Sequence, residues 1–285
     1  MNSMINYNGH LQAFDALPLD AISRSLKYGD GVFETIRMRD NQLLFIEDHY
    51  FRLMASMRIL RMAIPQEFTP EYFVEQAALL AEETAIIDGR LRLQVVRNST
   101  GLYTPDTNNS CVWWMELDEL DTGDYQWSNK GLSVELYKDH YIQAGLLSTL
   151  KTANSLPYVL AGIFGKENGF DAMLMVNDKK MLVEANSANV FVLIGNVLKT
   201  APLEDGPLRG VFRKNIMAWA KEVDLEIREE SINPFELQKA DEIWLTNTIH
   251  GIQWVETYRK RTYVGSKAKE LTESLNRKLN VLGKL

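Results

Sequence analysis

The stretch "GLLSTLKTANSLPYVLAG", residues 145–162, carries a single charge, Lys151, set among apolar and small side chains. The pattern before it reads as a strand and the pattern after it as a helix, so the lysine sits where one element gives way to the next. An amine in such a place has two readings. If it is buried, desolvation disfavours its ammonium form, and a neutral amine attacks carbonyl carbon. If it lies at a strand end, it snorkels to water and does no chemistry.

Working outward, residues 4–45 read as short strands and turns, with a hairpin turn at Arg39-Asp40-Asn41. Leu53, Met57 and Leu60, with Met54 beside them, follow helical spacing, and a second helix is expected over 70–87 after Thr69-Pro70. "GRLRLQVVR" and "CVWWMEL" read as strands. The acidic, turn-rich "DELDTGDYQWSNKG" at 118–131 then interrupts the apolar pattern. Beyond it come a strand at 132–138 and a helix around 153–168. A hairpin follows, with arms "AMLMV" and "MLVEANSANVFVLIG". Then come a strand in "NVLKTAPL", a helix in "GVFRKNIMAWAKEV", a strand and turn in "DEIWLTNTIHGIQWV", and a closing helix at 265–282. This mixed order predicts an α+β fold in two domains: 1–120, a linker at 121–131, and a larger domain at 132–285.

The 285 residues carry 31 basic and 38 acidic side chains, a net charge of -7, with no basic stripe, which argues against a nucleic-acid partner. Cys111 is the only cysteine and there are four histidines, so neither a disulfide nor a structural metal site is expected. No apolar run has the length of a membrane span, and "MNSMINYNGH" lacks a signal-peptide core. A soluble, cytoplasmic protein is expected.

Two further features bear on chemistry. Glu184 interrupts the apolar strand "MLVEANSANVF" and needs a cationic or hydrogen-bonding partner unless it is an edge residue facing water. "GPLRGVFRKN" opens glycine turns onto a helix N-terminus suited to phosphate. "LTNTIHG" brings Thr246, Asn247 and Thr248 to a strand end, and Arg52 lies on the first long helix. A lysine nucleophile, a carboxylate for a ring nitrogen and several phosphate ligands together are what pyridoxal 5'-phosphate requires.

"SRSLKYGDGVFETIR", "FIEDHYFRLMASMRIL", "LKTANSLPYVLAG", "GFDAMLMVNDKKMLVEANSANVFVL", "TAPLEDGPLRGVFRKNI" and "ADEIWLTNTIHGIQWV" occur in order over nearly the whole chain. The set resembles the class IV aminotransferases, the fold-type IV pyridoxal phosphate enzymes. These include branched-chain aminotransferases, D-amino-acid transaminases and 4-amino-4-deoxychorismate lyases. The resemblance implies a homodimer of two-domain chains with the cofactor between domains. It makes Lys151 the residue joined to the cofactor and the carrier of the substrate's α-proton, and Glu184 the partner of the pyridine nitrogen. Arg52, the N–H groups of Val211 and Phe212, and Thr248, with Asn247 alongside, become the phosphate set. Tyr28 and Arg92 become substrate-facing, with Arg97 a less secure candidate. "CVWWMEL" and "LYTP" are the expected dimer surface.

Departures from the family pattern divide two reactions. Branched-chain enzymes place a tyrosine five positions after the lysine, where this chain has Leu156, and a glycine where Thr35 stands. Gly210-Val211-Phe212 lacks the usual threonine, and Leu102 lies near where D-amino-acid transaminases carry an arginine. These positions look closer to the lyases, with Thr35 relaying a proton to pyruvate. Family membership at large favours a transaminase acting on an amino acid, possibly branched-chain, and a 2-oxo acid.

Overall fold

The computed structural model describes residues 4–18, 20 and 22–282. The outer bounds of the expected domains, residues 1–3 and 283–285, lie outside them. The chain divides into two compact units, Met1–Asp124 with Lys151–Asn154, and Tyr125–Leu150 with Ser155–Leu285.

In the first unit, β1 (Met4–Tyr7), β2 (His10–Ala13), α1 (Ser23–Tyr28), β3 (Gly31–Arg39), β4 (Gln42–Leu43), α2 (Ile46–Ile59), α3 (Pro70–Thr84), β5 (Gly89–Arg97) and β6 (Cys111–Glu119) follow one another. The strands form one antiparallel sheet in the order β2-β1-β6-β5-β3-β4. Its core face holds Val32, Ile36, Leu91, Leu93 and Val95, packed with Leu53, Met54 and Met57 of α2 and Phe73, Ala77 and Leu80 of α3. Thr69 caps α3 by accepting from the Tyr72 N–H at 3.1 Å, and Pro70 occupies the first turn, where no N–H is needed. The helix stops at Thr84 because Ala85 turns left-handed, short of the expected 87.

Helix α1 departs from the strand-and-turn expectation for 4–45. Six residues are too few to show a helical period, and the signal that ends it is Gly29, at φ 64°. A Cβ on Gly29 would fall 2.4 Å from Asn154 Oδ1, so this glycine also admits the 151–154 segment. That segment lies alongside β3, so Ala153 and Asn154 do not belong to the helix expected around 153–168, which begins at Leu156. The Phe33 N–H donates to the Lys151 carbonyl, and the Ala153 N–H to that of Gly31, both at 2.9 Å.

The second unit runs β7 (Leu132–Ile142), α4 (Leu156–Glu167), β8 (Ala172–Asn177), β9 (Leu182–Ala185), β10 (Ala188–Ile194), β11 (Val197–Thr200), α5 (Val211–Trp219), β12 (Glu226–Glu229), β13 (Glu242–Asn247), β14 (Gly251–Tyr258), β15 (Arg261–Thr262) and α6 (Ser266–Leu282). Its strands run β12-β11-β10-β13-β14-β7-β8-β9, and β9 pairs back onto β10, so the central strands close a ring. The core inside this unit includes Val134, Leu174, Val190, Val192, Ile243, Leu245 and Val255. The expected second hairpin arm is itself folded: Asn186-Ser187 turns the chain, and Glu184 of β9 faces Asn189 of β10. Among the described residues no helix is long and apolar enough to cross a membrane.

Candidate active site

In the first unit, pairing puts Phe33 opposite Gln94 and Thr35 opposite Arg92, so these four share the face of the sheet turned away from α2. Lys151 Nζ lies 4.3 Å from the Phe33 ring centroid, and Arg92 Cζ lies 3.8 Å from the same centroid. Arg92 is fixed by donating to Gln94 Oε1 at 2.7 Å, and Gln94 by donating to the Val32 carbonyl at 3.2 Å. The structure therefore brings Lys151 and Arg92 over one aromatic ring, on the sheet face that also carries Thr35. Phe33 is not among the site residues expected from sequence. Its signal is the alternation of "GVFETIR", which places residues 33 and 35 on one face.

Glu34 projects to the opposite face, toward α2. It is 1% exposed and accepts from Arg52 Nε at 2.9 Å and from His49 Nδ1 at 2.7 Å, with Arg52 Nη2 on the same oxygen as His49. Burial alone would raise the Glu34 carboxyl. The Arg52 charge and the hydrogen bonds from both partners outweigh it and hold the group at about 2. Burial likewise lowers the His49 imidazole; Glu34 opposes this, and the Arg52 and Lys151 charges add to it. A neutral His49 then donates from Nδ1, and its buried Nε2 has no hydrogen-bond partner among the described residues. The Glu34 carboxylate thus sets the plane of the Arg52 guanidinium on the first long helix.

This clamp has a measurable consequence. The Glu34 carboxyl is depressed from 4.5 to about 2, so its stabilising contribution is complete above pH 4.5 and drains away as pH falls toward 2. Glu34→Gln leaves a buried guanidinium without its counter-ion, and we expect a loss of about 3 kcal/mol at neutral pH, read by urea unfolding. The gap between variant and parent should narrow as pH drops through that window.

Arg97, weighed above for a substrate carboxylate, is buried and committed elsewhere. It pairs with Asp30 at 2.9 Å and donates to the Leu60 and Arg61 carbonyls at 2.7 and 3.0 Å. Asp30 also holds Arg24, which donates to the Leu102 carbonyl at 2.7 Å. The Tyr28 and Tyr103 rings meet, with centroids 5.5 Å apart.

In the second unit, Glu184 sits between Met175 of β8 and Asn189 of β10 and is 3% exposed. It accepts from Tyr158 Oη at 2.7 Å and from the Leu208 N–H at 2.9 Å. Asn189 Nδ2 holds the Leu208 carbonyl at 2.9 Å. Two residues on, Gly210 caps α5, and a Cβ there would fall 1.9 Å from Asn189 Oδ1. Only glycine lets the loop and β10 come this close. The first N–H groups of a helix have no acceptor within it and favour an anion, and here they belong to Val211 and Phe212. Tyr125 ties this end to the β13–β14 turn: its ring lies 5.2 Å from that of Phe212, and its hydroxyl donates to the Thr248 carbonyl at 3.0 Å. Asn247 folds its carboxamide into that turn, accepting from the Ile249 and His250 N–H groups at 3.0 and 2.7 Å. Thr246 Oγ1 is buried with no hydrogen-bond partner among the described residues. A helix N-terminus, an orphaned buried hydroxyl and a glycine-tight approach are a donor set that fits a phosphate. Tyr158, like Phe33, is a site residue that sequence reasoning misses: it lies seven positions after Lys151, and its link to Glu184 is tertiary.

Comparisons with known proteins show what the chain is similar to. The family model described as "Amino-transferase class IV" matches residues 31–258. A Methanocaldococcus jannaschii protein provisionally named as a branched-chain-amino-acid aminotransferase is 27% identical over 263 residues, covering 91% of this chain and 89% of its own. A D-alanine aminotransferase of Bacillus licheniformis is 27% identical over 251 residues, covering 85% and 83%. Among solved structures, the branched-chain aminotransferase of the thermophilic archaeon Thermoproteus uzoniensis with norvaline superposes with a TM-score of 0.86 at 22% identity, covering 97% of this chain and 94% of that one. A Legionella pneumophila protein provisionally assigned as a 4-amino-4-deoxychorismate lyase does so with 0.79 at 23% identity, covering 89% and 92%. The chain belongs to the class IV aminotransferase family.

Proposed function

We propose that the chain is a pyridoxal 5'-phosphate-dependent aminotransferase that moves an amino group between an amino acid, with branched-chain side chains the first candidates, and a 2-oxo acid. One observation carries the reading. Glu184, a buried carboxylate, is joined through the Leu208 peptide to the glycine that opens α5, so one rigid loop offers a partner for a ring nitrogen and donors for a phosphate. When bound, pyridoxal phosphate supplies an aldehyde that joins to amines and a protonated ring that withdraws electrons from them.

This chain's residues do the rest. Arg52, the Val211 and Phe212 N–H groups and the Thr248 side chain would hold the phosphate, with Asn247 fixing the turn that presents Thr248. Glu184 would keep the ring nitrogen protonated. The Lys151 amine would hold the aldehyde and, when free of it, would act as the base that carries the proton from the substrate's α-carbon. Arg92 and Tyr28 would orient the substrate, Arg92 through a charge-assisted contact with its carboxylate.

A second reading keeps the same residues but makes the product 4-aminobenzoate and pyruvate. Thr35 favours it, since its side chain shares a face with Arg92, and a hydroxyl there can pass a proton to a leaving enolate. The deciding experiment runs two arms. Transamination predicts amine transfer from an amino-acid panel to 2-oxoglutarate; pyruvate released from aminodeoxychorismate without any 2-oxo acid would make the protein a lyase instead.

The assembly is proposed as a homodimer. Trp113 and Trp114 of "CVWWMEL" are buried within the first unit, so they do not supply the surface expected of them. The large apolar side chains left exposed include Leu156, Val159, Leu160 and Ile163 of α4, at the i, i+3, i+4, i+7 spacing of one helix face, with Leu146 and Leu147 just before them. An uncharged aliphatic stripe suits a second copy of itself. Leu160→Asp is expected to convert the dimer to monomer by light scattering; an unchanged mass would move the interface elsewhere.

A further inference from the structure

We infer that Tyr158 is a positioning residue that holds the Glu184 carboxylate in the orientation and the charge state needed to leave a shared proton on the cofactor's ring nitrogen. The inference rests on the reading of Glu184 as the partner of that nitrogen.

The geometry is local to the second unit. Tyr158 stands in the first turn of α4, where Ser155, Leu156 and Pro157 start the helix. Its inward neighbours at helical spacing, Ala161 and Gly165, are buried, whereas Leu156, Val159, Leu160 and Ile163 face out. Tyr158 packs with Phe164 and Phe170 against Tyr137, Met173, Met175 and Val183, which fixes its ring. From there its hydroxyl reaches Glu184 Oε1 at 2.7 Å, a length typical of a charge-assisted O–H···O bond. The other oxygen takes the Leu208 N–H at 2.9 Å. The carboxylate is therefore gripped at both oxygens by donors on two different elements. Each oxygen can accept more than one hydrogen bond, so the grip does not exclude a third donor.

The direction of the effect follows from the donors. Burial first, then the Glu184 charge and hydrogen bond, raise the Tyr158 phenol, so it stays protonated and donates. A carboxylate that accepts such a bond is a weaker base, because the bond stabilises its charged form. A buried carboxylate with fewer donors competes better for any proton it shares. β8 and β10, which flank Glu184, carry no ionisable side chain. The ionisable groups on the other neighbouring elements are Tyr158, Lys166 and Glu167 on α4, Glu135, Tyr137, Lys138, Asp139, His140 and Tyr141 on β7, of which Tyr137 packs with Tyr158, and Arg209 beside Leu208. Lys166 and Glu167 lie more than two turns along α4 from Tyr158.

The test is Tyr158→Phe, which keeps the ring and removes the hydroxyl. The protein is loaded with pyridoxal phosphate carrying a 15N-labelled ring nitrogen, and the nitrogen's chemical shift is read at neutral pH beside that of Glu184→Gln. Wild type should give a pyridinium shift, Glu184→Gln a neutral-pyridine shift, and Tyr158→Phe a shift moved from the first toward the second. Turnover in Tyr158→Phe should fall about tenfold in kcat with KM nearly unchanged. The double variant should be no slower than Glu184→Gln alone, because Tyr158 acts through that carboxylate. A Tyr158→Phe protein with the wild-type nitrogen shift, beside a shifted Glu184→Gln, overturns the role given to Tyr158 and leaves Glu184 in place. So does a double variant slower by the product of the two single effects. An unmoved shift in Glu184→Gln removes Glu184 from the ring nitrogen and takes this inference with it.

Discussion

Lys151→Ala is expected to give a folded protein that lacks the visible absorbance band and turns over at least about ten-thousandfold more slowly. The fold survives because the segment is tied to β3 through main-chain atoms. The Lys151 carbonyl accepts the Phe33 N–H at 2.9 Å, and alanine offers the same carbonyl. What disappears is the side chain, whose Nζ lies 4.3 Å from the Phe33 ring centroid, on the sheet face that also bears Thr35 and Arg92. The two functions proposed for it, attack on the aldehyde and carriage of the α-proton, would leave together, which is why the expected effect exceeds that of removing a single acid–base group. A small primary amine added to the solution can replace the first function and part of the second, so partial rescue by methylamine is expected. Absorbance, kcat and rescue read these separately, and turnover within tenfold of the parent would show that another residue does the chemistry.

Glu184→Gln should slow turnover on the order of a hundredfold while changing cofactor affinity little. Glutamine can keep the local framework. Its Oε1 can accept the Leu208 N–H, and its Nε2 can donate to Tyr158 Oη, so neither element loses its anchor. The negative charge is lost, and with it the reason for the ring nitrogen to stay protonated. A neutral ring withdraws electrons less well, so the α-proton becomes harder to remove. The donors proposed for the phosphate are untouched, and on that proposal they carry the affinity. Steady-state kinetics beside a titration of apoenzyme with pyridoxal phosphate separates the two quantities. An equal loss of both would mean that Glu184 serves binding alone.

Elements with a clear period can be read directly. Leu53, Met54 and Met57 mark α2, Thr69-Pro70 opens α3, and the alternation in "GRLRLQVVR" marks β5. The elements that escape are short or set by distant contacts. The six residues of α1 carry too little periodicity, and the β9–β10 turn rests on two small polar residues inside an apolar run. The side-strand placement of Lys151–Asn154 depends on β3, more than a hundred residues upstream, so nothing in the local pattern announces it. The same division holds for the site. A carboxylate interrupting an apolar strand points to Glu184, and applied to "GVFETIR" the same rule finds Glu34. Phe33 and Tyr158 carry no such mark, because an aromatic residue in an apolar stretch has the pattern of core. Trp113 and Trp114 are expected on a surface on composition alone; alternation along β6 does not decide it, since Val112 to Met115 are all buried.

One amine, that of Lys151, is proposed as the covalent attachment point for pyridoxal phosphate. Incubating the purified protein with the cofactor, reducing with borohydride and mapping the peptides by mass spectrometry tests it directly. A phosphopyridoxyl mass is expected on the peptide containing Thr149-Leu150-Lys151-Thr152, with loss of the visible band. A label on a different lysine, or no label at all, would contradict it.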